Sequence, residues 1–215
     1  MYLNAACVRS EQRQTMNEPY THPHRANIFL CWLARLVLRL RGWKIVGPLP
    51  PYPKLVIIAY PHTSNWDGFY MVMTAWSQRI HLQWMGKHAL FKPPFGWLIR
   101  QLGGVPIDRR AKHNVVEQAV QAFNQEEEML LVVAPESTRK KVEGWKTGFY
   151  HIAMGAGVPF ALAAMDYSTK QVRIHYVVQP TGDIEADLAK IQAYFAGAKG
   201  LHPEKQSPIR LLPRS

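Results

Sequence analysis

The run Met129-Leu-Leu-Val-Val-Ala134 constrains the fold more than any other stretch, because it has no polar face. A strand with one side open to water alternates apolar and polar residues; one that offers water nothing on either side must be covered twice. Leu55-Val-Ile-Ile-Ala59 is a second run of the same kind. Two such strands with helical patterns between them imply a largely parallel sheet with helices packed on it.

The rest of the chain fits that frame. Periodicity predicts a helix over Asp67–Ser77, a short strand over Leu82–Met85, a short helix over Phe95–Gln101 and an extended piece over Val105–Ile107. His113–Asn124 is amphipathic, with Val116, Ala119, Val120 and Phe123 on one side. Trp145–Ala156 reads as a helix that stops at Gly155 and Gly157. Phe160–Met165 and Val172–Val178 read as strands about the polar turn Asp166–Gln171, and Ile184–Phe195 as the closing helix. The expected architecture is therefore one α/β domain over residues 50–196, with a mostly parallel mixed sheet flanked by helices.

What precedes and follows the domain is different in kind. Residues 1–25 are polar, without a sustained period or a signal-peptide pattern, and are expected to be a loose arm. Residues 26–41 are the most apolar window, yet shorter than the roughly 20 residues a spanning helix needs. Arg35 and Arg39 interrupt it one turn apart, with Leu33, Leu36, Val37 and Leu40 on another face. Residues 26–46 are therefore expected to hold a basic amphipathic helix, lying in a membrane interface, packed on the domain's own core, or both by different faces. The Pro-rich stretch Gly47–Pro53 stops that helix. The segment Trp84–Trp97 is a second candidate for the interface, or an ordinary surface loop. The tail over residues 197–215, rich in Pro and Lys, is expected to be loosely held.

Composition narrows partners without choosing one. The net charge of +11 is densest before residue 50 and favours an anionic partner, whether lipid surface, nucleic acid or phosphorylated substrate. Nucleic acid is disfavoured by the lack of helix-turn-helix spacing, aromatic platform or basic stripe along one helix. Cys7 and Cys31 make no disulfide framework, and no Cys/His spacing suits zinc, so no metal is expected.

Open α/β sheets bind ligands beyond the carboxyl ends of their strands. Beyond the first apolar strand comes Tyr60-Pro-His62-Thr-Ser-Asn-Trp-Asp67. A histidine there, with a carboxylate five residues on, is a base with its orienter. Ser64-Asn-Trp-Asp67 also has the spacing of a helix-capping box, which needs no chemistry at all. Beyond the extended piece lies Gly103-Gly-Val-Pro-Ile-Asp-Arg109-Arg110, and beyond the second apolar strand Pro135-Glu-Ser-Thr-Arg139-Lys-Lys141. Asp166 follows the next strand. Arginine forks beside hydroxyl and backbone donors suit a phosphate or carboxylate.

The ordered set His62-x-x-x-x-Asp67, Gly104-Val-Pro-Ile-Asp-Arg109, Pro135-Glu-Ser-Thr-Arg139 and Val158-Pro159, spread over roughly residues 50–165, resembles the glycerolipid acyltransferase family. The resemblance implies an O-acyltransferase that moves a fatty acyl chain from a thioester to a lysophospholipid hydroxyl, as in making phosphatidic acid from lysophosphatidic acid. His62 would be the general base, oriented by Asp67. Arg109 and Arg139 would hold the acceptor phosphate, with Lys87 facing it as well; Glu136, Ser137 and Thr138 would shape the glycerol end of the pocket. The donor would be acyl-CoA or acyl carrier protein as co-substrate, with no bound cofactor, and the enzyme would sit peripherally on the cytoplasmic face of the inner membrane against its anionic surface. Ser137 stands where the family usually has Gly, Pro61 where Asn often precedes the histidine, and Phe160-Ala-Leu-Ala is less β-branched than usual. These departures bear on the acceptor rather than the base. A lipid transacylase that needs no coenzyme A, or an inert basic module binding anionic lipid, are the competing readings.

Overall fold

The computed structural model describes residues 27–87, 91–107 and 114–212 of the 215-residue chain. The arm expected over residues 1–25 lies outside them. Seven strands form a single sheet: β1 (Lys44–Val46), β2 (Lys54–Tyr60), β3 (Gln83–Lys87), β4 (Gly104–Ile107), β5 (Met129–Val133), β6 (Phe160–Asp166) and β7 (Gln171–Val178). Their order is β1-β7-β6-β2-β5-β3-β4. Every neighbouring pair is parallel except β6 with β7, which a tight turn joins as a hairpin. Asp166 closes that turn by accepting hydrogen bonds from the Ser168 amide and hydroxyl and the Thr169 hydroxyl.

The helices are α1 (Ile28–Leu40), α2 (Asn65–Ser77), α3 (Gly96–Gln101), α4 (Asn114–Gln125), α5 (Gly148–Ala156) and α6 (Ile184–Phe195). Alternation along β2 sends Val56, Ile58 and Tyr60 to one face and Leu55 and Ile57 to the other. On the first face they meet Phe123 of α4, Phe149 and Ile152 of α5, and Ile191 and Phe195 of α6. On the second face Leu55 and Ile57 pack with Leu130, Val132 and Ala163, while α1 and α2 close over Met165 and Val172 through Leu38, Tyr70 and Met73. Leu55 and Leu131 are fully buried. Burying such a side chain is worth roughly 1.5–3 kcal/mol, which is why strands this apolar require both coverings.

Helix α1 has two apolar sides. Cys31, Ala34 and Leu38 face inward, and Val37 packs against the same cluster. Ile28, Phe29, Trp32, Leu33 and Leu40 face outward, with Trp32 61% and Leu40 76% exposed. The helix ends at Leu40, and Lys44–Val46, expected as its last turn, pairs instead as an edge strand parallel to β7. Among the described residues no helix is long and apolar enough to cross a membrane.

Two further expectations need correction, and they share a cause. Residues 145–147 are not helical, and the described part of the tail, residues 197–212, is not loose. The Trp145 amide donates to the Arg210 carbonyl and the Leu212 amide donates back to the Trp145 carbonyl, a parallel bridge of Trp145 with Leu211. Trp145 is wholly buried and Ser207 is 1% exposed. The tail is held by hydrogen bonds to distant residues, which no hydropathy pattern records.

Candidate active site

Three strand ends meet at the site because β2 lies between β5 and β6. The chain leaves β2 at Tyr60, and His62 follows two residues later. Helix α2 starts just beyond. The Ser64 hydroxyl accepts from the Trp66 amide while the Asp67 carboxylate accepts from the Ser64 amide, so the capping box is real. The same carboxylate serves the histidine: Asp67 Oδ2 lies 3.3 Å from His62 Nδ1 and also accepts from the Thr63 amide at 2.7 Å. The structural and chemical readings of this stretch are thus not alternatives, since a carboxylate can accept several donors at once.

Asp67 Oδ1 accepts a hydrogen bond from the Tyr167 hydroxyl at 2.7 Å, one hundred residues along the chain. Nothing in the sequence marks Tyr167; its neighbour Asp166, the last residue of β6, is taken up by its own turn and by the Lys199 amide. Burial pushes the Asp67 carboxyl up, but the hydrogen bonds from His62, Tyr167 and the Ser64 and Thr63 amides outweigh it and hold the group below the usual range. Asp67 is therefore ionised at neutral pH. Burial, with the Asp67 carboxylate beside it, pushes the Tyr167 hydroxyl far up, so Tyr167 stays a donor.

With Nδ1 turned to Asp67, the other ring nitrogen of His62 is left for the cavity that His62 lines. This cavity, about 930 Å³, extends along α2 from Asn65 to Ala75 and reaches Gln78 just past the helix. Its walls are mostly hydrocarbon: Ile57, Val132 and Ala163 from the sheet, Met71 and Ala75 from α2, and Ile80 beyond it. Ser137, Arg139 and Lys146 line it as well. Lys146 was not among the residues expected at the site; it precedes α5 in a segment that reads as plain helix. An apolar slot with a histidine and two cations on its lining can take a molecule that is part hydrocarbon and part anion.

The other expected residues divide. Ser137 has φ of +56°, a left-handed backbone that favours glycine. Thr138 accepts from the Lys140 amide and does not line the cavity. Glu136 does not line it either: it is 2% exposed, with Oε1 accepting from the His62 amide at 2.7 Å and Oε2 from the Ser207 amide at 3.3 Å. Burial pushes its carboxyl up against the pull of those donors. Arg109 lies outside the described residues, as does the side chain of Lys87. Among the described residues no group of side chains is placed to hold a metal ion.

A family model described as Acyltransferase matches residues 48–165. The 1-acyl-sn-glycerol-3-phosphate acyltransferase of Haemophilus influenzae is 30% identical over 150 residues, covering 65% of this chain and 60% of the relative. The chain thus spans about 60% of the length of that curated relative. Among solved structures, the 1-acyl-sn-glycerophosphate (LPA) acyltransferase PlsC of Thermotoga maritima matches 77% of this chain and 75% of its own, with a TM-score of 0.56 and 20% identity. At that identity the likeness is one of fold.

Proposed function

Because this chain belongs to the acyltransferase family, we propose that it transfers a fatty acyl chain from an acyl thioester to the hydroxyl of a lysophospholipid such as lysophosphatidic acid. The observation that carries the reading is His62, paired with Asp67 at 3.3 Å, on the lining of a deep, mostly apolar cavity. The activity of the Haemophilus relative supports it.

In this mechanism the free nitrogen of His62 takes the proton of the acceptor hydroxyl. The oxygen attacks the thioester carbonyl, the carbon–sulfur bond breaks, and the thiolate leaves with the proton that His62 releases. Asp67 holds the ring in one tautomer and stabilises the imidazolium that forms. A positioned base of this kind contributes roughly 10²- to 10⁴-fold. Arg139 binds the acceptor phosphate, with Arg109 and Lys87 assigned the same task by resemblance. The acyl chain occupies the slot along α2, and the donor is acyl-CoA or acyl carrier protein. The outward side of α1, apolar and bordered by Arg35 and Arg39, rests in an anionic membrane surface, where acceptor and product are found.

Purified protein incubated with long-chain acyl-CoA releases free thiol only when a lysophospholipid is added, and His62→Ala abolishes the release while the circular dichroism spectrum is kept. Normal turnover by that variant would remove His62 as the base. Product formed from mixed lipids with no thioester present would instead favour a transacylase.

A further inference from the structure

The segment after α6 bonds to Trp145 and, through Lys199, to Asp166 and Tyr167, and it also reaches the residues that carry His62. The Tyr60 hydroxyl donates to the Ser207 carbonyl at 2.8 Å, and the Gln206 side-chain amide donates to the Tyr60 oxygen at 2.9 Å and to the Ala198 carbonyl at 3.0 Å. The His202 amide donates to the Thr63 hydroxyl at 3.2 Å. Gly200 lies so close to the loop that a Cβ there would stand 2.7 Å from Thr63 Oγ1 and 2.8 Å from its Cγ2. The Ser207 hydroxyl reaches across to accept from the Val142 amide.

Glu136 completes the arrangement. It follows β5, the parallel neighbour of β2, and its two oxygens join the His62 amide to the Ser207 amide. Neither Glu136 nor any residue of 198–207 lines the cavity. Tyr60, Glu136 and Ser207 are each less than 5% exposed, so water does not compete for these bonds.

We propose that residues 198–207 form a strap that sets the backbone of His62, and that Glu136 is the positioning residue through which the strap acts. The strap lies beyond the family-matched span. The proposal rests on the acyl-transfer reading for its kinetic consequence but not for its structural one. A base must be held within a fraction of an ångström of its acceptor, and the bonds counted above fix Tyr60, His62 and Thr63 from outside the substrate slot. This gives Glu136 a different task from the one the resemblance implies, contact with the glycerol end of the acceptor.

The test uses the full chain and two variants, Glu136→Gln, which turns one of the two acceptor oxygens into a donor and so breaks the link at its His62 or its Ser207 end, and Gly200→Ala, which wedges the strap off Thr63. Two quantities are read: hydrogen exchange of the His62 amide by NMR, which needs no substrate, and kcat and KM for acyl transfer. The His62 amide loses protection in both variants, kcat falls by about 10- to 100-fold in Glu136→Gln and less in Gly200→Ala, and both KM values stay unchanged. His62 protection equal to the parent's in either folded variant overturns the strap, and so does an acceptor KM that rises in Glu136→Gln with kcat retained. If Glu136→Gln does not fold, Gly200→Ala decides alone. A parent protein that transfers no acyl group sinks the acyltransferase reading, while the amide exchange still decides the strap.

Discussion

Asp67 shows how much one side chain can be asked to do. It caps α2, orients His62 and accepts the Tyr167 hydroxyl, and those bonds keep its carboxyl below the ordinary range. A carboxyl depressed in the folded state stabilises the fold above its ordinary pKa, roughly 4, and that contribution is lost as pH falls through the depressed value. Asp67→Asn should accordingly lose stability at neutral pH and show a flatter acid limb when urea unfolding is measured across pH; an acid limb as steep as the parent's would detach Asp67 from the network. Tyr167→Phe removes one donor and should cost about 1 kcal/mol with a modest fall in kcat. Ser137 tests the resemblance at its weakest point. A left-handed Ser pays a steric penalty of roughly 1–2 kcal/mol, partly offset in glycine by a more flexible unfolded chain, so Ser137→Gly should raise stability by about 0.5–1 kcal/mol in urea titrations. His62 and Asp67 were legible because chemistry and capping share a short spacing; Tyr167 was not, because it enters through the sheet.

At the level of elements, legibility followed pattern strength. The apolar runs of β5 and β6 and the closing helix α6 were readable because each has a long one-sided or two-sided signature. The three-residue edge strand β1 was not, since Lys-Ile-Val after a helix offers too little to distinguish it from the last turn. Helix α1 was readable in its amphipathicity but not in its division of labour, because its inward seam is built from the small side chains Cys31 and Ala34 with Leu38, leaving the larger ones outside. That outward side should be what binds lipid. Replacing Phe29 and Trp32 together with Ser should abolish co-flotation with vesicles rich in anionic phospholipid and leave the melting temperature nearly unchanged, because neither side chain is buried. Retained flotation would move the contact elsewhere.

For the molecule as a whole, the strand order does the organising. With β2 between β5 and β6, His62, the Arg139 loop and the Tyr167 turn arrive at one edge from widely separated parts of the chain. The cavity then runs back beneath α2, over the face where Ala163 leaves room. Filling that room should shorten the acyl chain accepted: with Ala163→Leu, competition between long- and medium-chain acyl-CoA should shift toward the shorter donor. An unshifted preference would place the acyl chain outside this slot. The packed segment beyond α6 carries one more implication, which concerns time. A ribosome delivers every strand of the sheet before it delivers Gln206 and Ser207, so the nascent chain can build its fold while His62 still lacks its final support. Catalytic competence should appear last, only when that stretch has left the exit tunnel, and an arrested chain ending before it should be folded but idle.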